Sequence, residues 1–258
     1  MFCITLGYGC NNACEFCAQG ALREREGGAL DVESAVVSAA KDGGAIALVG
    51  GEPTIDPRLL DLARLAKESG ATRVVVQTNG RRLAYRAFAS ALFEAGVDAV
   101  DVSLHGATAP MHDYHTAVAG SFAQTLTGIG VARRAGLVVG VTTVVTRSNY
   151  RHLAELARLV AARGASAIHL ATLVVAGRAV AARERLAPSG DLTAPYVASA
   201  REAARSLGLS IVVGEPPDEH PIFAGTGPAV EEAVAPSRVA SSSPRALPVL
   251  SGTGGRTA

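Results

Sequence analysis

The chain has no tryptophan, two methionines and four cysteines among its 258 residues, and aromatic side chains make up only 4% of it. So few cysteines do not make a disulfide scaffold. Such frameworks belong to small secreted domains that cannot build a core, and here 48% of the residues are hydrophobic. Charge of one sign is lacking too. A formal net charge of +1 offers no attraction for nucleic acid or an anionic membrane surface, and no basic stripe is interleaved with aromatics. No uninterrupted apolar run approaches the roughly 18 residues needed to cross a bilayer. The first residues carry no basic segment, apolar stretch or small-residue cleavage site of a secretory signal, so the expectation is a cytoplasmic protein with reduced thiols.

What is present is an alternation of short apolar runs with amphipathic stretches, the pattern of βα units around a parallel sheet. The strands expected are Cys3–Leu6, Ala45–Val49, Arg73–Gln77, Ala99–Leu104, Val138–Val145, Ala167–Leu170 and Ser210–Val213. Between them Asp31–Lys41, Pro57–Ser69, Arg82–Ala95, Phe122–Ala135, Tyr150–Arg163 and Leu192–Leu207 place apolar residues at three- and four-residue spacing, as helices do. Gly70, Gly96, Gly136, Gly164 and Gly208 each fall just after one of these helices, where a left-handed cap favours glycine. Six βα units make a partial parallel (β/α)6 barrel, an α/β fold assigned to residues 1–215. From Pro216 to Ala258 the chain is rich in Pro, Ser, Gly and Ala and short of large apolar residues, which predicts a disordered tail.

Three of the cysteines, Cys10, Cys14 and Cys17, form a C-x3-C-x2-C array with Phe16 directly before the third. Three closely spaced thiolates can hold a [4Fe–4S] cluster by three irons and leave the fourth open to a small molecule. A structural zinc site wants four closed ligands, and only Cys3 or a distant histidine could supply the fourth. Cys3 itself lies in the apolar stretch Phe2–Leu6 and reads as a small buried hydrophobe, with a hydrogen-atom donor as the alternative. A second motif, Gly50-Gly51-Glu52-Pro53-Thr54, follows the apolar run Ala45–Val49.

Together the two motifs resemble the signature of the radical S-adenosylmethionine (radical SAM) enzymes. The resemblance covers roughly Cys3 to Val213 and implies that Cys10, Cys14 and Cys17 ligate the cluster, that SAM chelates its open iron, and that the glycine-rich segment contacts the SAM amino group. Physically, glycines let backbone carbonyls approach a cationic amine, while the Glu52 carboxylate can accept from it or brace the loop. In parallel α/β barrels reactive groups collect at the carboxyl ends of the strands, and these motifs do so. Asn79 and Ser103, at the ends of the third and fourth strands, suit ribose hydroxyls or the methionyl carboxylate, though Asn79-Gly80 is also a turn signal. Phe16 would shield the cluster or adenine, or pack within its loop.

His105 faces either SAM or substrate, or hydrogen-bonds a loop. His112, Asp113 and His115 look like a metal cluster but read better as a polar loop leading to a helix capped at Gly120-Ser121-Phe122. Arg23 and Arg25 either balance the anionic cluster or form a solvated charge run. The resemblance implies an electron from a flavodoxin or ferredoxin-type reductant, cleavage of SAM to methionine and a 5′-deoxyadenosyl radical, and hydrogen abstraction from an unidentified small-molecule or peptide substrate. Many peptide-maturing members carry cysteine-rich C-terminal extensions for further clusters, and no cysteine follows Cys17 here. The alternatives are a non-catalytic iron–sulfur redox protein, which would have no need of Gly50-Gly51-Glu52, and a partner subunit, against which the intact cysteine triad argues.

Overall fold

Every strand pairs in parallel with the next one along the chain, so a single seven-stranded sheet runs β1-β2-β3-β4-β5-β6-β7. The strands of this computed structural model, which describes residues 1–22, 31–41 and 43–214, are β1 (Phe2–Thr5), β2 (Ala45–Val49), β3 (Arg73–Thr78), β4 (Ala99–Ser103), β5 (Val138–Val144), β6 (Ala167–Ala171) and β7 (Ser210–Gly214). The sheet is open, with β1 and β7 as its edges. Arg23, Arg25 and the segment expected to be a tail lie outside the described residues.

Eight helices are described: α1 (Val32–Lys41), α2 (Leu59–Glu68), α3 (Arg86–Glu94), α4 (Ala109–Thr116), α5 (Ser121–Arg134), α6 (Leu153–Ala162), α7 (Ala179–Leu186) and α8 (Gly190–Ser206). Strand side chains alternate between two faces. Ile46, Leu48, Val74, Val76, Val100, Val102, Val139, Val141, Ile168 and Leu170 join the helices' apolar stripes in the main core. The concave face is different. Small residues Ala47, Val75, Ala99 and Ala167 form its lower layer. One step toward the carboxyl ends lies a polar arc of Gln77, Asp101, Thr142 and His169, in which Gln77 pairs with Asp101 and Thr142 with His169 in register. Asp101, 1% exposed, accepts from Thr142 Oγ1 at 2.9 Å and Gln77 Nε2 at 3.2 Å, and burial raises its pKa.

The helix-stop glycines all take positive φ, from 65° at Gly208 to 104° at Gly70. Other expectations need correcting. Cys3 is exposed, because β1 is an edge strand and its first two residues lie uncovered. The expected helices from Arg82 and Tyr150 each begin as a short 3-10 turn, Arg82–Ala84 and Tyr150–His152, before α3 and α6. The segment holding His112, Asp113 and His115 is helix α4, not a polar loop, with Pro110 in its first turn and Ala117 ending it at φ 54°. Its buried face is built from His112, His115 and Thr116 in place of aliphatics, so the apolar periodicity that announces a helix is missing. Asp113 caps the following helix from outside: its carboxylate accepts from the backbone of Gly120 and Phe122, both at 2.7 Å, and from Ser121 Oγ at 2.8 Å. Helix α7 was also unforeseen.

Candidate functional site

The loop after β1 carries Cys10, Cys14, Phe16 and Cys17, and the ends of four later strands converge on it. At the end of β2, Gly51 donates its backbone N–H to Gly7 O and Glu52 to Gly9 O, each at 2.8 Å. Gly50 sits at φ 136°, and a Cβ there would collide with the Gly7 carbonyl. A Cβ on Gly51 would strike the carbonyls of Tyr8 and Gly9. Both glycines are therefore demanded by the close approach of two backbones.

Glu52 is 3% exposed, and its carboxylate braces the strand ends. Oε1 accepts from Thr54 N at 3.0 Å, Thr54 Oγ1 at 2.5 Å and Thr78 Oγ1 at 2.6 Å, while Oε2 takes Asn79 N at 2.6 Å. Asn79 in turn reaches the cysteine loop, donating Nδ2 to Asn11 Oδ1 at 2.6 Å. Arg81 follows, with Nη1 donating to Asn11 O at 2.7 Å and Asn12 Oδ1 at 3.0 Å, and Nε to Gln124 Oε1 at 2.7 Å. Asn12 N–H points at Cys10 Sγ, 3.4 Å away. The opposite flank of the loop is held by α4 and by the segment after β6. Ala13 N donates to Thr116 O at 2.8 Å, and Arg178 N to Cys17 O at 3.2 Å. A Cβ on Gly177 would meet the carbonyls of Cys17 and Ala18.

Phe16 turns inward, its ring 4.7 Å from that of His105 in an edge-on contact, and packs against Leu173, Ala179, Ala182 and Leu186. His105, His112 and His115 form a buried trio behind it. Burial lowers all three pKa values, to about 4 for His112 and well below the ordinary range for His105, so the rings are neutral. Backbone groups then set the tautomers. His105 Nδ1 accepts from Val144 N at 3.3 Å, and His112 Nδ1 from His105 N at 3.1 Å, which puts their protons on Nε2. His112 Nε2 is buried with no hydrogen-bond partner. His115 donates Nδ1–H to Met111 O at 2.7 Å and accepts at Nε2 from Thr146 Oγ1 at 2.8 Å. Asn149 closes the group by donating to His105 O at 3.0 Å and Val144 O at 2.8 Å. Ser103 lies half-buried at the end of β4, across from Thr142.

All ten residues singled out from the sequence thus stand at the carboxyl-end rim. Asn11, Asn12, Arg81 and Gly177 were missed. Two asparagines between the first two cysteines were the available signal; Arg81 had none beyond its place after Asn79-Gly80.

Among the described residues, no three His, Cys, Asp or Glu side chains converge closely enough to share one metal ion. A single tetrahedral zinc needs sulfurs roughly 4 Å apart, since each lies about 2.3 Å from the metal. A cubane takes each thiolate on a different iron and asks for no such convergence. Three half-buried thiols spread along one loop, beside a glycine cradle, suit the cubane.

Residues 4–160 match the radical SAM superfamily, and the chain belongs to it. Enzymes of that class use a [4Fe–4S] cluster and SAM. The chain's relatives include an AdoMet-dependent heme synthase of Methanosarcina barkeri, 34% identical over 176 residues, which cover 66% of this chain and 49% of the relative. The chain spans about half the length of the curated relatives it matches. Among solved structures, Streptococcus suis SuiB bound to precursor peptide SuiA has a TM-score of 0.64 at 18% identity, over 84% of this chain and 50% of that one. Methylornithine synthase (PylB) gives 0.58 at 15%, over 84% and 73%. At these identities the structures show a shared fold. No helix among the described residues is long and apolar enough to cross a membrane.

Proposed function

We propose that this protein reductively cleaves SAM to initiate hydrogen abstraction, with Cys10, Cys14 and Cys17 holding the cluster and residues 1–215 as the core domain. When bound, the cluster and SAM supply the chemistry: an electron from a flavodoxin or ferredoxin-type donor enters the carbon–sulfur bond, releasing methionine and a 5′-deoxyadenosyl radical. The observation that carries the reading is the seating of Gly50-Gly51-Glu52 on Gly7–Gly9, which brings the glycine-rich segment against the cysteine loop with room for no side chain between them.

The chain's own contribution is positional. Carbonyls of the glycine-rich turn offer acceptors for an ammonium group. Glu52 keeps that turn and Asn79 at a fixed separation, and Ser103 presents a hydroxyl to the ribose. His105, neutral and with its Nε2 proton uncommitted, lines the rim as a donor toward SAM or substrate. Below the rim, the concave face with its polar arc holds the substrate and keeps competing hydrogen donors away from the radical. The substrate class is a peptide or a small molecule, in line with the precursor peptide on SuiB and the heme named for the heme synthase.

Anaerobic reconstitution with iron and sulfide, followed by dithionite and SAM, tests this. Formation of 5′-deoxyadenosine is the expected result. A reducible cluster that leaves SAM intact would overturn the reading in favour of a redox or partner-subunit protein.

A further inference from the structure

One peptide unit links a permanent positive charge to a cysteine sulfur. Arg81 Nη1 donates to Asn11 O at 2.7 Å, and the N–H of that same Asn11–Asn12 peptide donates to Cys10 Sγ at 3.4 Å. The order is guanidinium N–H, carbonyl, amide N–H, sulfur. Donation into a carbonyl polarises the peptide and strengthens donation from its own N–H; Asn12 is 5% exposed, while Asn11 and its bond to Arg81 lie at the surface. A second bond from Nη1 to Asn12 Oδ1 at 3.0 Å and the Nε bond to Gln124 at 2.7 Å fix its plane, and Asn79 holds Asn11 from the side.

We propose that Arg81 is a positioning residue that acts through the Asn11–Asn12 peptide to raise the reduction potential of the cluster at its Cys10 corner. This rests on the cluster reading above. Hydrogen bonds to ligand sulfur stabilise the reduced, more negative cluster and are one of the protein's levers on potential. Arg81 touches neither substrate nor reacting atoms. Its effect is to widen the range of donors able to deliver the electron.

The test is a redox titration of the reconstituted holoprotein, followed by electron paramagnetic resonance of the reduced cluster, on wild type, Arg81→Met and Arg81→Lys. Arg81→Met should keep its iron and sulfide yet show about a tenfold lower reduced-to-oxidised ratio at a fixed poise, equivalent to a 59 mV negative shift for a one-electron couple. Arg81→Lys, which keeps the charge and loses the fork, should fall between. Weaker coupling of an exchangeable deuteron to the reduced cluster in Arg81→Met is the accompanying signature. If Arg81→Met does not load, Arg81→Lys and Arg81→Gln carry the comparison. Potentials equal to wild type in loaded variants overturn the inference while leaving the cluster reading intact. A wild-type protein that takes up no iron and sulfide overturns both.

Discussion

The Glu52 carboxylate and the Asn79 backbone nitrogen meet at 2.6 Å, joining the ends of β2 and β3 through a buried charge-assisted bond. With the Thr54 and Thr78 donors on the same carboxylate, it clamps two of the segments that form the rim. Its removal strands several buried donors at once. Glu52→Ala is therefore expected to lower the unfolding free energy by about 3 kcal/mol, measured by urea denaturation of the apoprotein. The same variant should still take up iron and sulfide but bind SAM more weakly by calorimetry; unaltered SAM affinity would remove Glu52 from the binding role.

Gly51 lies where a side chain would enter the carbonyls of Tyr8 and Gly9. Gly51→Ala should cost about 2 kcal/mol of stability through forced separation of the two backbones, and iron content after reconstitution should fall with it. Normal loading at normal stability would show that the glycine cradle is not needed.

Replacing Cys10, Cys14 and Cys17 together by Ala should abolish iron and sulfide binding. Quantitation of both after anaerobic reconstitution is the check, and a triple variant that retained its iron would sink the ligand assignment. Cys3, exposed on the edge strand, should be replaceable by Ser with full loading.

Acid should weaken the fold through the histidine trio. The His112 pKa drops from 6.5 to about 4 on folding because the ring is buried. Between those values the unfolded chain binds more protons than the folded one, so stability is complete above pH 6.5 and is lost as pH falls toward 4. For His112 alone the loss reaches about 3 kcal/mol, and His105 and His115 shift in the same direction. Urea unfolding at a series of pH values should show this slope, and His112→Asn should flatten it.

Asp113→Ala should destabilise α5 by about 2 kcal/mol, at the upper end for a lost cap because the backbone donors of Gly120 and Phe122 lose their acceptor together. Asp113→Asn, which keeps an acceptor, should cost less; equal losses would argue that charge and not hydrogen bonding is at work.

Strand order and the rim were legible in the sequence because apolar runs alternate with amphipathic stretches and α2, α3, α5, α6 and α8 each stop at a glycine that takes positive φ. Cys10, Cys14, Cys17 and Gly50-Gly51-Glu52 could be read because local spacing carries their chemistry. Helix α4 could not, since its inward face is histidine and threonine and only the packing around them makes it a buried face. Arg81 was opaque for another reason. Its partner Asn11 lies 70 residues earlier, and nothing local to either residue announces the pairing. Cys3 was misread because edge strands and central strands share the same composition and differ only in their neighbours.

The cysteine loop precedes in the chain every segment that supports it. Its supports arrive in the order Gly51, Asn79, Arg81, Thr116 and Gly177, and the ion pair from Arg185 to Glu15 spans 170 residues. A chain that ends at β5 carries all three thiols on a loop braced by β2, β3 and α4 but lacking its contacts with the segment after β6. If the three thiols hold a cluster as proposed, the loop that carries them is complete only when the segment after β6 has packed Gly177 and Arg178 against Cys17 and Ala18.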